Sequence, residues 1–89
     1  ERRIYLEHLY NYIVEAIKNT KFEITKNKGN TIIVSINSTR RALFTITSDN
    51  LFQMVHEKQV KGQWVVDKEH YNMKSNSAMS IVTYLNKKI

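Results

Sequence analysis

Three histidines stand beside glutamates, in the pairs Glu7-His8, His56-Glu57 and Glu69-His70, and imidazole beside carboxylate is the pairing on which general acid–base chemistry is built. Direction argues against that use. Neighbouring residues point to opposite faces of a strand and lie about 100° apart on a helix, so neither Glu57 nor Glu69 is placed to orient the histidine next to it. Solvent-facing histidines are the expectation. A small ribonuclease built on His56 or His70 is the enzyme these residues would serve, and nothing else in the sequence supports one. The chain has no nucleophile elbow, phosphate-binding glycine loop, dinucleotide fingerprint, zinc-protease helix or calcium loop. No enzyme activity, no cofactor and no metal site are expected.

The aromatic residues offer a second chemistry. Tyr5, Tyr10, Tyr12, Phe52, Trp64 and Tyr71 could stack on unpaired bases, although helix–sheet packing accounts for most such residues in a small domain. The third chemistry is charge. Fourteen Lys and Arg against eight Asp and Glu leave a net +6, which favours nucleic acid, acidic lipid headgroups or acidic protein surfaces.

The elements that position these groups follow from periodicity. Between residues 2 and 19, Leu6, Leu9, Ile13, Ala16 and Ile17 recur at helical spacing, with Glu7, Asn11, Glu15 and Lys18 on the other side. Asn19-Thr20 interrupts that pattern. Phe22 and Ile24 then alternate with Glu23 and Thr25, the turn Asn27-Lys28-Gly29-Asn30 follows, and Ile32, Val34 and Ile36 share one face of the next strand. After Ser38-Thr39-Arg40-Arg41, read as a turn, Ala42, Phe44 and Ile46 do the same. Residues 51–57 fit either a strand, through Phe52, Met54 and His56, or a short helix after Asp49; the strand is preferred. Residues 58–62 read as a turn before the β-rich Gln63-Trp64-Val65-Val66. Ser75 or Ser77 then caps a helix with a stripe of Ala78, Ile81, Val82, Leu85 and Ile89. The expected fold is α+β: an N-terminal helix, an antiparallel meander of four to five strands and a C-terminal helix, with both helices on one face of the sheet.

Eighty-nine residues, taken as one domain over 1–89, hide only roughly 60–65% of the unfolded chain's surface. Without cysteine, one hydrophobic core must hold the fold alone. The opening on Glu1 is compatible with a domain cut from a longer protein. No apolar run approaches the roughly 18 residues of a membrane span. A soluble, cytoplasmic chain is expected, peripheral at a membrane if it meets one.

The run Tyr12-Ile13-Val14-Glu15-Ala16-Ile17-Lys18-Asn19-Thr20-Lys21-Phe22-Glu23-Ile24, followed by Thr31-Ile32-Ile33-Val34-Ser35-Ile36, resembles the opening of the C-terminal kinase-associated domain of protein kinases. Residues 42–47, 51–57, 64–68 and 78–85 follow that family's order of meander and closing helix. The short basic-aromatic signature usual before the final helix is not evident at 64–68, and the strand that often precedes the first helix is missing. The resemblance implies a noncatalytic regulatory domain that binds acidic phospholipid or packs on its own kinase or a regulatory subunit. The helix–strands–helix order also resembles double-stranded-RNA-binding domains, whose basic start of the last helix is reduced here to Lys74.

In a meander, alternate turns share one end of the sheet, so charges can be sorted by end. The end with the first helix's exit, the second and fourth turns and the last residues collects Lys18, Lys21, Arg40, Arg41, Lys58, Lys61, Lys87 and Lys88 against Glu15 and Glu57. Six cations meet six carboxylates in the remainder, Asp67 among them. These eight residues are the expected anion-binding set. The expected partner is an acidic phospholipid or acidic protein surface. A nucleic-acid-binding domain is the first alternative, and a protein-interaction or inhibitory module the second.

Overall fold

The computed structural model describes residues 2–48 and 51–88. Its elements are α1 (Arg2–Ile17), β1 (Glu23–Lys28), β2 (Thr31–Asn37), β3 (Arg40–Ser48), β4 (Leu51–Val60), β5 (Gln63–Lys74), a single 3-10 turn (Ser75–Ser77) and α2 (Ala78–Lys88). Glu1, Asp49 and Ile89, to which the charge sorting and the C-terminal stripe extend, lie outside the described residues. The five strands form one antiparallel sheet in sequential order, which bears out the α+β meander between two helices. Residues 51–57 are strand, within β4.

Local chemistry explains the corners. Thr20 Oγ1 donates to the Ile17 carbonyl (2.8 Å) and accepts from the Phe22 amide (3.1 Å), closing the exit of α1 and directing Phe22 into the core. Asn37 Oδ1 accepts from both the amide and the hydroxyl of Thr39, at 2.9 and 3.0 Å, and so builds the β2–β3 turn. At the β4–β5 turn, Lys61 and Gly62 both take positive φ (53° and 80°), the twist that a two-residue hairpin demands.

Alternation then sets the core. Ile32, Val34 and Ile36 of β2, Ala42, Phe44 and Ile46 of β3, and Phe52 and Met54 of β4 are buried; they join Leu9 and Ile13 of α1 and Ala78, Ile81, Val82 and Leu85 of α2 in one cluster. Each large apolar side chain so enclosed contributes roughly 1.5–3 kcal/mol. The alternate residues are only partly covered, including the cross-strand row Ile33, Leu43 and Val55. One face of the sheet is therefore sealed and the other open.

Several expected boundaries move. Arg40 and Arg41 lie within β3, leaving Ser38-Thr39 as the turn, and β4 runs on to Val60. β5 extends from Gln63 to Lys74 because two register shifts let it follow the twist of β4. One shift leaves Asp67 as an extra residue between the pairs Glu57/Val66 and His56/Lys68. The other sets Tyr71 and Asn72 against Gln53, with Asn72 at φ 54°. Ser75 does not cap a helix: it is buried, and its hydroxyl has no hydrogen-bond partner. Among the described residues no helix is long and apolar enough to cross a membrane.

Candidate anion-binding end

The exit of α1, the β2–β3 turn, the β4–β5 hairpin and the C-terminal end of α2 meet at one end of the sheet. The Gln59 amide donates to the Thr39 carbonyl (2.7 Å), joining β4 to the β2–β3 turn, and Arg40 is paired with Lys58 in register. An open hollow of about 640 Å³ is lined there by Thr20, Lys21 and Phe22 from the α1 exit, Ile36 and Asn37 from β2, and Asn86 from α2. Lys18, Lys21, Lys61 and Lys87 are exposed around this end, and Lys88 is the last residue of α2.

The two arginines do not act together. Arg41 faces the open side of the sheet, where its Nε donates to Glu57 Oε1 at 2.7 Å and its guanidinium lies 4.2 Å from the centre of the Trp64 ring. Arg40 lies on the sealed side with Lys58, and both face one carboxylate: Arg40 Nη1 to Asp67 Oδ2 and Lys58 Nζ to Asp67 Oδ1 are each 3.7 Å. Asp67 therefore belongs to the basic end, which corrects its placement with the remainder. Simple alternation along β5 is broken by the extra residue, and the Asp67 carboxylate turns toward Arg40 and Lys58.

His56 is a second correction. It is buried (4% exposed) rather than solvent-facing, because it continues the inward stripe of Phe52 and Met54. Its Nδ1 lies 3.7 Å from Asp67 Oδ2, longer than a hydrogen bond and an ion pair only when the ring is protonated, and its Nε2 is buried without a hydrogen-bond partner. Burial pushes the His56 pKa below 6.5; Asp67 opposes that shift, while Arg40, Lys68 and Lys58 reinforce it. Nearby, Lys68 Nζ donates to the Tyr84 hydroxyl (2.6 Å), which raises the lysine's pKa. His70, also expected to face solvent, is instead half-buried with its Nε2 enclosed and without a hydrogen-bond partner, and it meets the same ring edge-on at 6.3 Å. His8 is exposed on α1, as expected.

Of the aromatics, Phe52 is in the core, Tyr10 packs against it and Trp64 is half-covered under Arg41, whereas Tyr12 and Tyr71 are exposed. Among the described residues no group of three or more His, Cys, Asp or Glu could hold a metal ion. No family model, curated protein or solved structure matches the chain.

Proposed function

We propose that the chain is a noncatalytic targeting domain that docks its basic end on acidic phospholipid headgroups. The observation that carries this reading is the make-up of the β4–β5 hairpin tip: Lys58 and Lys61 stand there beside Val60, Val65 and Val66, all three exposed. Lysines flanking exposed apolar side chains suit a plane of anionic headgroups over an acyl layer, where each basic residue adds about 1 kcal/mol. Lys18, Lys21 and Lys87 widen the same end, and Lys18 and Lys87 sit where the carbonyl ends of the two helices favour cations. The resemblance to kinase-associated domains points to the same ligand class. A cytoplasmic, membrane-peripheral placement follows from it.

The test is co-sedimentation with phosphatidylserine vesicles, phosphatidylcholine vesicles, and duplex and single-stranded nucleic acid. Binding is expected for the anionic vesicles only. The double change Lys58→Glu with Lys61→Glu weakens it roughly tenfold or more. The exposed Lys61 shifts stability by less than about 0.5 kcal/mol, whereas Lys58→Glu also sets a carboxylate against Asp67, so binding is compared only under conditions where the variant is folded. Lys26→Glu with Lys28→Glu makes the same charge change in β1, whose last residue pairs with Thr31 at the opposite end of the sheet. Equal losses from the two pairs would leave no localised site, and tight nucleic-acid binding with a steep salt slope would replace the lipid by a polynucleotide.

A further inference from the structure

Asp67 is held by charge alone. Its contacts to Arg40, Lys58 and His56 are all 3.7 Å, beyond hydrogen-bond reach, so the donors of both cations remain largely unspent. It is also the extra residue of a β-bulge, so its side chain can swing out without breaking a rung of the ladder. The groups facing His56 are Arg40 of β3, Lys58 of β4, and Asp67 and Lys68 of β5; Tyr84 of α2 reaches Lys68 and His70. One carboxylate thus stands among three permanent cations and a buried imidazole. A tetrahedral dianion has more charge and more acceptor oxygens than a carboxylate, and can bond Arg40 and Lys58 together.

We propose that Arg40, Lys58 and the imidazole of His56 form a seat for one phosphomonoester group, and that Asp67 is its resident competitor, displaced when that group arrives. The proposal rests on reading the basic end as an anion-docking surface and assigns it one defined seat on the sealed side of the sheet. Arg41, bound to Glu57 on the open side, takes no part. An anion that replaces Asp67 beside His56 draws a proton onto the imidazole, so occupancy is readable at that ring without any membrane.

The experiment follows the His56 ring signals by NMR through a pH titration of the whole chain, in sulfate and in chloride at equal ionic strength. Sulfate serves as the probe because its charge is constant over this range. Sulfate is expected to raise the His56 pKa, and Arg40→Gln to abolish the response. Asp67→Asn tightens sulfate binding by about threefold to tenfold, whereas Glu69→Gln, the same charge change two residues along β5, leaves it within about 1.5-fold. Identical His56 titrations in the two salts, or equal effects of Asp67→Asn and Glu69→Gln, would overturn the seat. Vesicles of phosphatidic acid and of phosphatidylglycerol at matched surface charge separate the sources. Preference for phosphatidic acid supports a headgroup in the seat. A sulfate response without vesicle binding supports a soluble phosphomonoester there and overturns the docking reading alone.

Discussion

Arg40 and Arg41 are consecutive in β3, yet alternation sends them to opposite faces of one sheet with opposite consequences. On the open face Arg41 is fixed, by a 2.7 Å bond to Glu57 and by Trp64 beneath its guanidinium. On the sealed face Arg40 shares Asp67 with Lys58 and His56 at distances where no hydrogen bond forms. The open side spends its charge on structure, while the sealed side leaves charge loosely compensated at its rim. Counting cations by end of sheet, without asking which face each occupies, treats the two arginines as equivalent when they are not.

The largest effect should come from breaking what makes the faces differ, the docking of α2. Leu85 is fully enclosed in the shared cluster, so Leu85→Ala is expected to lower unfolding free energy by about 2–5 kcal/mol, measured by denaturant titration. Leu43→Ala, on the half-covered open face, should lower it by about 1 kcal/mol. Comparable losses would mean that the two faces are equally buried in solution.

A smaller effect separates the two arginines directly. Arg41→Ala removes a partly buried ion pair and an aromatic contact and is expected to destabilise by about 1–2 kcal/mol. Arg40→Ala, with more exposed partners at longer range, should fall below about 0.5 kcal/mol. A double-mutant cycle of Arg41 with Glu57 that showed no coupling would remove the distinction.

The meander was legible because its apolar residues keep a period of two through β2, β3 and β4 and a helical period in α1 and α2. The same stripe that placed residues 51–57 in a strand also carried His56 inward with Phe52 and Met54, so its burial could have been read there. Its companion could not. Asp67 reaches His56 only because β5 holds one residue more than β4 at that point, and the extra residue of a bulge has no signature in a period-two count. Asn72, a residue tolerant of positive φ, is a clue to the other shift once β5 is known to continue past Val66. The basic end emerged from topology alone, whereas its division between two faces needed the register.

The smallest expected effect is a pH dependence that belongs to the sealed face. His56 has its pKa lowered by burial, so on acidification the unfolded chain takes up its proton near pH 6.5 while the folded chain still resists. Stability therefore does not depend on His56 above that pH. It falls as the pH drops from about 6.5 toward the folded-state pKa, where the loss is complete. Asp67→Asn removes the one group that supports the charged ring, which lowers the folded pKa further and deepens the loss. His56→Leu should abolish this slope, because a similar-sized apolar side chain fills the site with nothing to titrate. The open face offers the internal control: Glu57→Gln disturbs Arg41 without touching the His56 corner, so it should lower stability without changing its slope between pH 7 and pH 5. Thermal melts across that range decide the matter. A slope that survives His56→Leu would place the acid-sensitive proton on another group and leave the loosely compensated corner with no part in it.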